Sequence, residues 1–135
     1  MNAADRVMQS YGRCCASTGF FDDFYRHFLA SSPQIRAKFA TTDMTAQKHL
    51  LRAGIMNLVM YARGMSDSKL RALGASHSRA ALDIRPELYD LWLDALLMAV
   101  AEHDRDCDAE TRDAETRDAW RDVMGRGIAV IKSYY

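Results

Sequence analysis

Proline, β-strand patterning and long apolar runs are scarce in this sequence. Only two prolines occur, Pro33 and Pro86, and the seven glycines are scattered singly. No stretch alternates apolar and polar residues over the length of a strand, whereas apolar residues repeatedly recur at three- and four-residue spacing. The sequence therefore predicts an all-α chain.

Net charge and a membrane-spanning segment are also lacking. The 18 Lys and Arg residues equal the 18 Asp and Glu residues, which disfavours nucleic acid and anionic membranes as partners. No apolar run approaches the roughly 20 residues that cross a bilayer, and the polar start MNAADR is unlike a signal peptide. We expect a soluble, cytoplasmic protein with one domain over residues 1–135.

Cysteine is too sparse to form a disulfide framework or a zinc site. Cys14 and Cys15 are adjacent, which is poor geometry for a disulfide, and Cys107 lies far away without metal-ligand spacing. Reduced thiols are the expected state, with one of the adjacent pair packed in the core and the other at its flank.

Apolar periodicity and capping residues divide the chain into helices. The last helix has an apolar stripe from Trp120 to Ile131, and the polar segment before it contains ETRDA twice in tandem, a small insertion that lengthens a loop or extends the helix start. Six helices are predicted before it: Ala3–Ser17, Phe20–Ala30, Pro33–Phe39, Met44–Arg63, Asp67–Ala81 and Pro86–His103.

One histidine is placed on the buried face of its helix. His77 shares that face with Leu70 and Leu73, followed by Ala80 or Ala81, so its imidazole is predicted to be buried, and a metal ligand and an ordinary buried histidine are the two interpretations. The other candidates, His27 and His103, lie on polar flanks where we expect solvation.

The long fourth helix has a core face and a shoulder that faces a pocket. Helical spacing places Leu51, Ile55 and Leu58 on the core face, whereas His49 points in nearly the opposite direction. The shoulder that would face a pocket beside the core carries Gln47, Leu50, Gly54 and Tyr61.

Five stretches, in this order, carry a family resemblance: FDDFYRHF, PQIRAKF, LGASH, IRPELYDLW and DAWRDVMGRGIAVI. The chain resembles a globin, and its detailed pattern is similar to the haem domains of flavohaemoglobins, to single-domain haemoglobins and to globin-coupled sensors. The resemblance implies the globin fold, about seven helices around a haem pocket, with iron in haem b as the cofactor.

The resemblance also implies roles for residues on the proximal side of the haem. His77 falls where globins ligate iron, with the Leu73 carbonyl and the Ser76 hydroxyl as local partners for its other ring nitrogen. Leu73 and Ile84 match proximal packing positions, and Tyr89 resembles the tyrosine that supports the proximal histidine in flavohaemoglobins.

On the opposite, distal side the resemblance assigns Tyr25 and Phe39. Tyr25 matches the distal tyrosine of microbial globins, whose hydroxyl can donate a hydrogen bond to dioxygen, and a core tyrosine is the alternative. Phe39 matches the phenylalanine that stacks on the porphyrin.

The distal helix position usually held by His or Gln leaves alternatives open. Counting from Phe39 selects His49, whereas helical phase favours Leu50 with Gly54 one turn later and Gln47 filling part of the space. If Lys48 or His49 swung inward, either could coordinate the iron.

The function expected from the resemblance is reversible binding of a diatomic gas, O2 first and also NO and CO, for sensing, oxygen transport or NO/O2 chemistry. A catalytic alternative, NO dioxygenation or peroxidase-like chemistry, would need an external reductase because no flavin domain is present. The flavohaemoglobin glutamate that polarises the proximal histidine falls at about Tyr135 here, which disfavours a strong electron push. A second alternative is a haem-free globin module for protein interaction or stress signalling, against which His77, Tyr25 and Phe39 argue. The chain could be a monomer or a homodimer.

Overall fold

A computed structural model describes the backbone of residues 1–105 and 110–135, and the side chains of residues 1–105 and 114–135. The described chain is helical, with no strand, so the all-α prediction is confirmed. Its helices are α1 (Ala3–Ala16), α2 (Phe20–Ser31), α3 (Pro33–Lys38), α4 (Met44–Ala62), α5 (Ser68–Ser76), α6 (Leu88–His103) and α7 (Glu110–Lys132). The prediction for the Cys107 thiol lies outside the described residues.

Helix starts are set by capping side chains that the sequence presents. The Asn2 side chain accepts a hydrogen bond from the Asp5 amide, and Ser32 accepts one from Gln34 beside Pro33. The Asp43 side chain accepts hydrogen bonds from the Thr45 and Ala46 amides. These caps fix where α1, α3 and α4 begin.

The fifth helix is shorter than predicted. It ends at Ser76, and His77 is its C-terminal cap rather than an interior residue. The amides of Leu82 and Ile84 turn back to the carbonyls of Ser76 and His77, at 3.1 and 3.0 Å, and Asp83 takes a left-handed conformation with φ 52°. This turn replaces the helical residues predicted through Ala81.

Two other helix boundaries differ from the sequence prediction. The α6 helix begins at Leu88, because Pro86 lies in a turn whose carbonyl accepts from the Tyr89 amide at 3.2 Å. The α7 helix already begins at Glu110, so the ETRDA tandem extends the helix start. Within the second copy, Thr116 and Ala119 are buried.

The core is formed mainly by α1, α2, α4, α6 and α7. The α4 and α7 helices approach closely at Gly127, where an added Cβ would come within 2.2 Å of Leu58 Cδ2. The largest fully buried side chains are Trp120, Phe20, Phe24, Ile55, Leu70, Leu96 and Met124. Cys14 is buried, and neither Cys14 nor Cys15 forms a disulfide among the described residues.

A buried polar cluster links α1, the end of α6 and α7. The Ser10 hydroxyl donates to Asp104 Oδ2 at 2.6 Å and accepts from Trp120 Nε1 at 2.9 Å. The Arg13 guanidinium donates to the same carboxylate at 2.6 Å. Because every buried side-chain nitrogen and oxygen atom described has a hydrogen-bond partner, the cluster connects distant parts of the chain without leaving a buried polar side chain unsatisfied.

The expectation that His103 is solvated is wrong. Its side chain is only 9% exposed, since Ser17 Oγ lies 2.6 Å from Nδ1 and Asp23 Oδ2 lies 2.6 Å from Nε2. His103 therefore connects α6 to the corner between α1 and α2.

In the described part of the chain, no helix has the length and apolarity that crossing a bilayer requires.

Candidate functional site

A large apolar cavity of about 730 Å³ lies between α4 and the segment formed by α5, the following turn and the start of α6. This volume lies within the range of binding sites for organic ligands. All nine site residues predicted from sequence lie on its wall: Tyr25, Phe39, Gln47, Leu50, Gly54, Leu73, His77, Ile84 and Tyr89.

His77 presents a neutral imidazole to this cavity. Its Nδ1 lies 3.0 Å from the Tyr89 hydroxyl, and no hydrogen bond from a described residue engages Nε2. Burial lowers the pKa of His77, which favours the uncharged ring. A neutral imidazole with one nitrogen held and the other open has the form of a metal ligand.

The local partners predicted for His77 are wrong. The Leu73 carbonyl accepts from the His77 backbone amide at 3.0 Å and from the Ser76 hydroxyl at 2.8 Å. The ring instead contacts Tyr89, twelve residues later, as the family resemblance implied. Burial raises the pKa of Tyr89 to about 12, so its hydroxyl stays protonated at neutral pH.

Tyr25 enters the cavity from α2, on the side of α4. Its hydroxyl donates to the Gln47 carbonyl at 3.4 Å, and burial raises its pKa to about 12. Its ring meets Phe39 edge-on with centroids 5.9 Å apart. The cavity thus has a protonated phenol on the α4 side and a neutral imidazole on the side of α5 and α6.

The globin family model matches residues 22–131, which is most of the chain. The chain belongs to the globin family. A crystal structure of a protein from Pseudomonas aeruginosa PAO1, described as structurally highly homologous to a human haemoglobin, is 96% identical with a TM-score of 0.94. The match covers 99% of this globin and 98% of that chain. Among curated proteins, none matches the sequence. Globins generally bind haem and diatomic gases, and the fold described above is the family's helical fold.

The three candidates for the distal position of this globin differ in location. Leu50 lies on the cavity wall, together with Gly54 one turn later. Lys48 forms an ion pair with Asp22, and His49 is exposed. Neither Lys48 nor His49 lines the cavity, in agreement with the helical phase of α4.

Several wall residues of this globin were not singled out from its sequence. Lys38 and Lys69 are exposed at the cavity, and Lys38 donates to the carbonyls of Leu82 and Asp83 at 3.0 and 3.1 Å. On α4, Ala53 and Asn57 also face the cavity. Their spacing of three and seven residues from Leu50 was the available signal for Ala53 and Asn57. No periodicity in the sequence indicates that Lys38 and Lys69 lie at the cavity.

The described residues fit haem as a cofactor. No described cluster of three His, Cys, Asp or Glu side chains could hold an ion directly, so His77 would provide a single protein ligand. A metal held this way needs its remaining ligands from an organic macrocycle, and the cavity walls are mostly aliphatic and aromatic. The cavity size, the single neutral imidazole and the apolar lining are therefore mutually consistent with a porphyrin.

Proposed function

We propose that this globin binds haem b and uses it to bind a diatomic gas reversibly, O2 first and also NO and CO. The observation that carries the proposal is the pairing of His77 with Tyr25 on opposite sides of one apolar cavity. Haem, when bound, would supply an iron that can bind a diatomic gas reversibly. Neither described cysteine, Cys14 or Cys15, lines the cavity, which supports a non-covalent haem.

The contact of His77 with Tyr89 supports the proposed role of His77 as the iron ligand. If Nδ1–H donates to the Tyr89 hydroxyl oxygen, the Nε2 lone pair is left for the iron. The Tyr135 hydroxyl donates to Asp83 at 2.6 Å and not to Tyr89. The His77 imidazole thus forms its hydrogen bond with a neutral phenol. This supports gas binding over peroxidase-like chemistry, which would need strong electron donation from the histidine to the iron.

At the cavity edge, Lys38 and Lys69 supply positive charge. We infer that these ammonium groups hold the two carboxylates of haem, because charge-assisted hydrogen bonds at a partly exposed rim position a ligand while its apolar body is buried. Phe39, Leu73 and Ile84 would then contact the macrocycle from the walls.

On the gas side, Tyr25 acts as a hydrogen-bond donor. With its pKa raised to about 12, the phenol keeps its proton, and the weak 3.4 Å contact to the Gln47 carbonyl can be exchanged for a better acceptor. Dioxygen becomes polarised when it binds and accepts such a bond well, whereas carbon monoxide polarises much less. Tyr25 therefore favours O2 over CO.

Absorption spectroscopy of the purified protein in its ferric, ferrous and gas-bound forms tests the proposal. We expect a Soret band, a changed spectrum with CO and with O2, and loss of normal ligation in His77→Ala. A protein that gains no Soret band after reconstitution with haem would overturn the proposal and favour a haem-free module.

The variant Tyr25→Phe tests the distal assignment separately. Because a hydrogen bond to a charged or strongly polarised group contributes about 1.5–3 kcal/mol, O2 dissociation should become roughly 10- to 100-fold faster. CO dissociation should change far less. Tyr61→Phe is the matched control, since Tyr61 lies on α4 but does not line the cavity. Equal O2 dissociation in wild type and Tyr25→Phe would show that the phenol does not contact the gas.

The physiological use of gas binding, whether sensing, transport or NO/O2 chemistry with an external reductase, stays a prediction from the resemblance. The same holds for the cytoplasmic location and for the choice between monomer and homodimer.

A further inference from the structure

A second, smaller cavity of about 280 Å³ lies in a groove between α6 and α7, which we call the α6–α7 groove. Its volume is close to the lower end of the range of sites for small organic ligands. Side chains from residues 94–101 of α6 and residues 116–121 of α7 line it. None of these residues lines the cavity that contains His77. The groove therefore has no part in the function proposed above.

The α6 side of the groove is mainly apolar. Leu97 and Val100 are buried on its wall, and Met98 and Ala101 are exposed beside them. Met98 is a large apolar side chain, yet 52% of it is exposed. An apolar ligand that covered Met98 and Leu97 would be stabilised by the apolar surface removed from water.

The α7 side of the groove carries positive charge. Arg117 and Arg121 are one helical turn apart, and both are exposed on the groove wall. Asp94 is the one acidic residue among the described wall residues, and its carboxylate lies 3.8 Å from the Arg121 guanidinium, beyond hydrogen-bond distance. The wall thus has two positive charges and one negative charge, in a chain whose formal net charge is zero. This local excess of positive charge favours an anionic ligand.

Thr116 adds a hydroxyl to the same wall. The residue is only 2% exposed, and no described residue forms a hydrogen bond with its hydroxyl. Every fully buried side-chain nitrogen or oxygen atom described has a hydrogen-bond partner. The Thr116 hydroxyl therefore keeps contact with solvent, and the groove is where Thr116 reaches it. A hydroxyl enclosed in this way can donate a hydrogen bond to a ligand oxygen.

The second copy of the ETRDA tandem supplies part of this polar wall. Thr116 and Arg117 are neighbours within that copy, and both line the groove. Arg121 follows one turn later, and side chains in a helix lean towards its N-terminus, so Arg121 can extend towards Thr116. The three donors can therefore converge on one anionic group.

We propose that the α6–α7 groove binds a small organic carboxylate with an apolar body. The carboxylate accepts hydrogen bonds from the Arg121 guanidinium and the Thr116 hydroxyl, and Arg117 adds a second positive charge. A guanidinium suits this ligand because its parallel N–H groups match the two carboxylate oxygens. The apolar body lies on Leu97 and Met98. The site is independent of haem.

NMR of the purified protein labelled at the methionine methyl groups tests the proposal, with hexanoate as the probe. Hexanoate should shift the Met98 methyl resonance, identified by its loss in Met98→Leu, in a saturable way. No described methionine lines the cavity that contains His77, so this shift reports on the groove. The matched uncharged ligand, 1-hexanol, should bind roughly 10-fold more weakly or worse, because it lacks the charge-assisted hydrogen bonds.

Two variants each remove one proposed donor with little change of side-chain volume. Arg121→Gln and Thr116→Val should each weaken hexanoate binding by roughly 10-fold or more. Thr116→Ser keeps the hydroxyl and should keep the binding, which separates loss of the hydrogen bond from disturbed packing. Arg126→Gln is the control on the same helix and should bind as wild type does. Arg126 donates to Asp122 at 2.9 and 3.0 Å and does not line the groove.

Several results would overturn the proposal without bearing on haem binding. These are an unshifted Met98 resonance in millimolar hexanoate, equal affinity for hexanoate and 1-hexanol, or unchanged affinity in both Arg121→Gln and Thr116→Val. A Met98 resonance that moves with protein concentration alone, and not with hexanoate, would show that a second copy of the chain covers the groove instead.

Discussion

The ring of His77 is oriented by a single side-chain hydrogen bond, to Tyr89. In Tyr89→Phe that bond is lost while the ring volume is nearly kept. Because loss of a partner that orients a metal ligand typically costs 10- to 100-fold in affinity, haem should dissociate about 10-fold faster or more. Transfer of haem to an excess of an apo-globin acceptor, followed by absorbance, measures the rate.

Tyr61→Phe is the control for this variant too, since Tyr61 lies outside the cavity wall. A shifted iron–histidine stretching frequency in the ferrous Raman spectrum would accompany faster haem loss if Tyr89 acts on the ring. Haem loss at the wild-type rate with an unshifted frequency would show that the His77–Tyr89 contact has no such role.

Helical phase predicted most of the site residues on α4. It placed Gln47, Leu50, Gly54 and Tyr61 on the face towards the pocket, and the first three line the cavity. The prediction for Tyr61 is wrong, because this residue in the last turn of α4 packs against the core outside the cavity wall. The partner of the His77 ring was missed from local sequence because Tyr89 approaches across a bend. His103 was misread for a similar reason, since its partners Ser17 and Asp23 lie 86 and 80 residues away.

Among the helices, the α4–α7 contact depends on the absence of a side chain at Gly127. An added Cβ would lie 2.2 Å from Leu58 Cδ2 and 3.2 Å from Leu70 Cδ1, both in buried side chains. Gly127→Ala should therefore lower the free energy of unfolding by about 1–3 kcal/mol, the usual cost of overpacking. Urea denaturation followed by circular dichroism measures it.

Gly125 provides a matched control two residues earlier in α7. An added Cβ there meets nothing within 4 Å, so Gly125→Ala should raise the free energy of unfolding by about 0.5–1 kcal/mol through helix propensity alone. Equal effects of the two substitutions would contradict the close contact between α4 and α7.

The turn after α5 shows why one helix end could not be predicted. The residues through Ala81 favour a helix by local propensity. The turn is instead held by distant groups, because Lys38 donates to the carbonyls of Leu82 and Asp83, and the Tyr135 hydroxyl donates to the Asp83 carboxylate. Contacts from residues 44 and 52 positions away leave no periodic signal in the local sequence.

The same turn predicts a pH dependence of stability. The Tyr135 hydrogen bond, helped by nearby Lys38, lowers the pKa of Asp83 below its ordinary value of 3.8. A lowered folded-state pKa stabilises the protein above that ordinary value, and the stabilisation is lost as pH falls through the folded-state value. Tyr135→Phe should thus be less stable than wild type at pH 6, and the difference should shrink below pH 4.

Tyr134→Phe is the control for the pH series, because its hydroxyl forms no hydrogen bond with a described residue. Denaturant unfolding at several pH values between 6 and 2.5 gives the comparison. A Tyr135→Phe difference that stays constant across this range would show that the ionised Asp83 carboxylate is not what Tyr135 stabilises.

Across the whole molecule, two clusters of polar side chains that join distant segments lie apart from the cavity. The buried Ser10–Asp104–Trp120 cluster ties α1 to the end of α6 and to α7, and His103 ties α6 to the α1–α2 corner. None of these residues lines the cavity. The region joined by these clusters is thus stabilised by hydrogen bonds between its own side chains. A different region of the molecule surrounds the cavity of about 730 Å³.

Removal of haem should therefore lower the local stability of some regions of the molecule more than that of others. A ligand that binds only the folded state stabilises it by mass action, so the apoprotein should melt at a lower temperature than the haem-bound form. Hydrogen exchange should rise most in α3, α5 and residues 77–87, which border the cavity, and least in α1, the end of α6 and the part of α7 before Ile128. Exchange measured by mass spectrometry on both forms gives the comparison.

The Ser10→Ala variant removes one hydrogen-bond partner from Asp104 and one from Trp120. It should show the opposite pattern, with faster exchange in α1 and α7 whether or not haem is bound. If haem removal instead raised exchange equally in α1 and in α5, the cavity and the polar clusters would belong to one cooperative unit, because protection in each would then depend on the other.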